Sequence, residues 1–106
     1  MIKYRVVITP EAEEDLRATY HYLRERSPRA ARTWIKGIRK RIKTLAFSPA
    51  RAPLAFESAA FHQPIRSLLY GSGNQGTYRI LFTVINECVF VLHVRHGSRL
   101  PLEPAD

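Results

Sequence analysis

The sequence predicts a two-layer α+β domain with the element order β-α-α-β-β-β, a helical hairpin packed on a small, mostly antiparallel sheet. Three observations carry this reading. Runs rich in β-branched and aromatic residues stand at both ends of the chain. Between them lie two long segments whose apolar residues recur at helical spacing. The last two apolar runs are separated by only two turn-forming residues, Asn86-Glu87. A chain of 106 residues suits one domain, 1–106, with a single core.

The elements follow in order. Residues 3–8, KYRVVI, read as a first strand. Thr9-Pro10 then supplies an N-cap and a proline at the first helical position. Glu11, Glu13, Glu14 and Asp15 crowd the first turn, where the helix dipole favours anions. Ala12, Leu16, Thr19, Tyr20 and Leu23 form one buried stripe. Ser27-Pro28 ends this helix and starts a second, whose apolar face is Ala31, Trp34, Ile35, Ile38, Ile42 and Leu45. Arginines and lysines cover the rest of it. Gly37 costs that helix about 1 kcal/mol relative to alanine, which close packing on a neighbour would offset. Residues 48–64 hold Pro49, Pro53 and Pro64 and read as a connector pinned by Leu54, Phe56 and Phe61. Residues 65–70, Tyr78–Ile85 and 88–95 are the remaining strands, with the first strand of the chain beside the last.

Composition narrows the function classes. The formal net charge is +8, which favours an anionic partner. Cys88 is the one cysteine, so no internal disulfide forms, and its apolar neighbours make it a small core residue. No run approaches the roughly 18 apolar residues that span a bilayer, and the N-terminus lacks a signal-like apolar stretch. The expectation is a cytoplasmic protein with no membrane partner.

Residues 71–76, GSGNQG, match G-x-G-x-x-G, but a strand follows them instead of the helix a dinucleotide needs, so their glycines serve a hairpin turn. His21, His62, His93 and His96 lack the spacing of a metal site. No metal and no cofactor are expected. The distinctive feature is the open end of the last hairpin, where Arg79, His93, Arg95, His96 and Arg99 gather, with Arg66 on the preceding strand within reach. The turn end carries no positive charge. Arginines concentrated in this way suit phosphate or carboxylate recognition, because the guanidinium offers planar, paired donors. A two-residue turn sets Ile80 opposite His93, Arg79 opposite Val94 and Tyr78 opposite Arg95. Arg79 and Arg95 then leave opposite faces, and a slip of one residue would exchange them.

Both faces of this hairpin are apolar, with Leu81, Phe90 and Leu92 on one and Ile80, Phe82 and Val91 on the other. The helices cover one face. The other is expected to be open to a partner, with Phe82 and Val91 as its binding residues.

The opening "YRVVITPEAEEDL", the strand "YRILFTV" and the ending "VLHVRHGSR" resemble the RelE/ParE toxin superfamily of type II toxin–antitoxin systems, the plasmid-stabilisation type of toxin. The likeness runs from Tyr4 to about Arg99. It implies a growth-inhibiting toxin wrapped and neutralised by a cognate antitoxin. RelE-like members cut messenger RNA on the ribosome without a metal; ParE-like members poison DNA gyrase. Carried over by position, Arg79 in "YRILF" matches the arginine of the central strand and Arg99 in "HGSR" the arginine after the last strand. In an endoribonuclease these would be catalytic, with His93 or His96 standing in as a base. RelE-like enzymes also use a tyrosine in a C-terminal helix and lysines before the second strand. This chain has no tyrosine after Tyr78 and no lysine in residues 48–64. The resemblance therefore favours a ParE-like gyrase inhibitor, with a ribosome-dependent endoribonuclease or a toxin fold that has lost toxicity as the alternatives. Arg66, Arg79, Arg95, His96 and Arg99 are the expected binding residues of the basic end.

Overall fold

The computed structural model describes residues 2–71 and 76–97. The elements are β1 (Arg5–Ile8), α1 (Pro10–Arg26), α2 (Pro28–Lys43), β2 (Arg66–Tyr70), β3 (Tyr78–Ile85) and β4 (Cys88–His96), with short 3₁₀ turns at Thr44–Ala46, Pro49–Arg51 and Phe56–Ala60. The α+β order is the one the sequence predicts. The strands form one sheet in the order β1-β4-β3-β2. β1 runs parallel to β4, and the other pairings are antiparallel. Among the described residues no helix is long and apolar enough to cross a membrane.

Two side chains set the helical hairpin. Thr9 Oγ1 accepts the Ala12 N–H at 3.2 Å and donates to the Val91 carbonyl at 2.8 Å, so the α1 cap also ties the helix to β4. Ser27 closes both helices at once. Its N–H donates to the Leu23 carbonyl at 2.8 Å, and its Oγ accepts the Ala30 N–H at 3.1 Å. Satisfying these end groups in one residue lets the chain reverse without a loop.

The core lies between the hairpin and one sheet face. Leu16, Ala31, Ile38 and Ile42 are buried against Ile80, Phe82, Val89, Val91 and Val94. Gly37 sits where an added Cβ would lie 1.9 Å from the Tyr70 hydroxyl, so glycine is what lets the end of β2 approach α2.

The β3–β4 register differs from the sequence expectation. Ile85 faces Cys88 as counted from the turn, but Leu81 pairs with His93 while Phe82 pairs with Val91. Leu92 is therefore an extra residue on β4, a bulge that advances every later pair by one. Arg79 faces Arg95, Ile80 faces Val94 and Tyr78 faces His96. Arg79 and Arg95 thus leave the same face.

The second sheet face is not open either. The connector folds across it, and Ala55 and Ile65 bury Leu81 with Phe61 and Leu92 alongside. Phe82 and Val91 lie on the helix side with no exposed surface. A partner cannot touch either in this fold, which corrects their assignment as binding residues.

Candidate functional site

Cross-strand partners share a face and neighbours along a strand alternate. Arg79 and Arg95 consequently stand side by side on the connector side of the sheet, while Tyr78 and His96 stand on the helix side. Arg79 is buried and forms a two-pronged ion pair with Glu57. Its Nη1 donates to Oε2 at 3.1 Å and its Nη2 to Oε1 at 2.5 Å. The Glu57 side chain is fully buried and that of Arg79 is 10% exposed. The guanidinium also lies 5.8 Å from the centre of the Phe56 ring. Arg79 therefore fastens the connector to the sheet. Sequence reasoning missed Glu57, although a single acid among the apolar residues of "LAFESAAF" needs a cation if it is buried.

The other expected site residues scatter. Arg66 faces Phe82, three residues along β3 from Arg79, and its Nη1 donates to the carbonyls of Ala52 at 2.7 Å and Ala50 at 3.4 Å. It holds the connector and does not join the basic end. The His96 ring meets Tyr78 edge-on at 5.1 Å, and Tyr78 in turn meets Trp34 at 5.1 Å. Burial, with the negative charge that Tyr22 acquires on ionising as a lesser cause, pushes the Tyr78 pKa up. Arg99, and residues 72–75 of the glycine-rich loop, lie outside the described residues. Of the three expected catalytic residues Arg79, His96 and Arg99, the first two are thus divided between two faces of the sheet.

His93 reaches α1 instead. Asp15 Oδ2 lies 2.9 Å from His93 Nδ1 and accepts the Val94 N–H at 2.9 Å. Val94 is past the end of the β1 pairing, which stops at Val91, so the carboxylate satisfies a backbone donor just beyond the bulge. Asp15→Ala is expected to lower stability by about 1–3 kcal/mol, whereas Asp15→Asn retains an acceptor and loses less. Urea unfolding of the two variants measures the difference.

The outer side of the helical hairpin carries a groove of about 610 Å³ bordered by Glu13, Glu14, Arg17, Tyr20, Arg32, Ile35, Lys36 and Arg39. Arg39 spans it to Glu13 with hydrogen bonds of 3.0 and 2.9 Å. The Arg39 hydrogen bonds hold the Glu13 carboxyl below its ordinary pKa, against a smaller opposing effect of burial. A lowered folded value means that the pair's stabilisation is present above the unfolded carboxylate range. It is lost as pH falls through the folded value. Both side chains are nearly half exposed, so the contribution is expected to stay below about 1 kcal/mol and to fade with salt. Arg39→Ala should therefore flatten the acid limb of the stability curve slightly at low ionic strength and leave it unchanged in high salt.

The family model for the "ParE toxin of type II toxin-antitoxin system, parDE" matches residues 6–101. A search of curated proteins finds no match. Among solved structures, a chain from the chromosomal ParDE toxin–antitoxin system of P. aeruginosa shares the fold. The TM-score is 0.66 at 20% identity, covering 89% of this chain and 96% of that one. A chain of the RelBE2 toxin–antitoxin complex from Mycobacterium tuberculosis aligns with a TM-score of 0.50 at 26% identity, covering 90% and 99%. With its strand-bound helical hairpin and its family match across nearly the whole length, the chain belongs to the ParE toxin family of type II toxin–antitoxin systems.

Proposed function

We propose that this toxin acts by binding and inhibiting DNA gyrase, that it does not cut messenger RNA, and that a cognate antitoxin silences it. The observation that supports the gyrase reading over the nuclease reading is the Arg79–Glu57 pair. Metal-free RNA cleavage needs cations free to meet the phosphate and a base within reach of the 2′-hydroxyl. Here both Nη atoms of Arg79 are directed at a buried carboxylate. His96 stands on the other face of the sheet. The antitoxin reading is supported by the family, and the groove floored by Tyr20 and Ile35 is the seat we assign to an antitoxin segment. A gyrase inhibitor acts in the cytoplasm, where gyrase works.

The test is induction of the chain in a bacterial host without its antitoxin, with pulse labels for new DNA and new protein. Purified gyrase is assayed for supercoiling in parallel. Early loss of DNA synthesis, filamentous cells and blocked supercoiling are expected. Early loss of protein synthesis with cleaved messages would overturn the reading in favour of an endoribonuclease. Unimpaired growth with normal supercoiling would overturn it in favour of a toxin fold without toxicity.

A further inference from the structure

α2 has a second face, of which only Arg32 and Lys36 also border the α1–α2 groove. Its solvent side carries Arg29, Arg32, Lys36, Lys40 and Lys43, all exposed. At 100° per residue these five fall within a stripe about 80° wide. The stripe lies opposite the buried Ala31, Trp34, Ile38 and Ile42. At 1.5 Å per residue it is about 21 Å long. The helix contains no aspartate or glutamate, and its first turn, unlike that of α1, holds no acid to meet the dipole. Among the described residues none of the five stripe residues takes part in an ion pair, whereas Arg17, Arg39 and Arg79 do. Like charges three and four residues apart repel and destabilise a helix. A row of them without counter-charges is a cost that the fold does not require, because the core is made on the other side.

We propose that this stripe binds the phosphate backbone of duplex nucleic acid. A duplex carries about one negative charge per 1.7 Å of axis, so a straight row of cations about 21 Å long can follow it without deforming it. An acidic protein segment is the competing occupant, and the composition of the stripe argues against it. Protein interfaces are anchored by apolar and aromatic residues near their centre. The stripe has none. The neighbouring α1–α2 groove, with Tyr20 and Ile35, has both. Phosphate contacts need only arginine and lysine, and they position a protein on a duplex without reading its sequence. This inference does not depend on which target the toxin inhibits.

The experiment is fluorescence anisotropy of the full chain with a labelled 25-base-pair DNA duplex of arbitrary sequence, over a series of salt concentrations. Single-stranded RNA of the same length and poly-L-glutamate serve as competitors. Arg29, Lys40 and Lys43 lie outside the groove lining, so the variant Arg29→Ala/Lys40→Ala/Lys43→Ala leaves that site intact. Five phosphate contacts correspond to a slope of log affinity against log salt of about −4.5. The triple variant should reduce it to about −1.8 and weaken binding at least about tenfold at 0.1 M salt. Arg29→Lys/Lys40→Arg/Lys43→Arg should retain the parent slope. The control Lys3→Ala/Arg5→Ala/Arg24→Ala removes the same charge elsewhere and should change little. Equal losses in control and stripe variants would overturn the proposal, since net charge alone would then explain binding. So would an absence of duplex binding, a preference for poly-L-glutamate, or binding of RNA with the duplex left free.

Discussion

Glu57→Ala is expected to destabilise the fold by about 3–5 kcal/mol, the range for removing one partner of a buried pair. The reason is what remains. Arg79 projects from β3, an inner strand of the sheet, and is almost wholly enclosed, and Glu57 holds both prongs of its guanidinium. Without that carboxylate a full charge is left in a low-dielectric layer. The Phe56 ring, 5.8 Å away, offers only a weak substitute. The effect should depend on charge more than on volume. Glu57→Gln keeps the shape and an acceptor and should cost less than Glu57→Ala. Glu57→Leu combined with Arg79→Met should recover most of the loss, because a well-packed apolar pair is often no worse than a buried ionic one. Trp34 is the single tryptophan and is buried in the core, so its fluorescence reports urea unfolding of each variant. If Glu57→Ala unfolds at the parent midpoint, the pair does not hold the connector. The same geometry makes Arg79 a poor probe of toxicity, since Arg79→Ala releases the connector as well as a basic group.

The helices, the caps and the strand order were legible because each rests on local chemistry. Thr9-Pro10 and Ser27-Pro28 announce helix starts by the groups they can satisfy, and both serve as predicted. The Asn86-Glu87 turn was legible for the same reason: Asn86 adopts the left-handed conformation that a two-residue hairpin turn requires. The basic end was not legible, because strand faces are a counting problem. A single bulge at Leu92 shifts the count, and Arg79 and Arg95 move from opposite faces to one. Residues 48–64 show a different limit. Their prolines mark a connector, but of its expected anchors Leu54 and Phe56 are exposed and only Phe61 packs on the sheet. The ties that hold it over the sheet, Arg66 to Ala52 and Arg79 to Glu57, join residues 14 and 22 positions apart. Without these distant ties an apolar sheet face looks uncovered and open to a partner.

Phe82→Ala is the second large effect, at about 3–5 kcal/mol. Phe82 lies at the centre of β3 with no exposed surface, in the cluster that Leu16, Ile38 and Ile42 complete from the helices. Truncation removes the ring and leaves a void between two layers whose backbones are pinned by the sheet on one side and the shared Ser27 cap on the other. Collapse into that void is restricted, which sets the cost near the upper part of the range. Phe56→Ala offers the contrast within one residue type. That ring is 85% exposed, and its loss should cost no more than about 1 kcal/mol, mostly the contact with Arg79. Equal unfolding midpoints for the two variants would contradict the layer assignment. The comparison also decides how antitoxin affinity is to be probed. Phe82→Glu or Val91→Glu would abolish binding by unfolding the toxin, because each drives a carboxylate into the core. Tyr20 and Ile35 line the α1–α2 groove but also pack against the core cluster, so the conservative changes Tyr20→Phe and Ile35→Val, which keep most of that packing, are the suitable probes. Loss of antitoxin affinity there, with an unchanged unfolding midpoint, is the result expected of an interface.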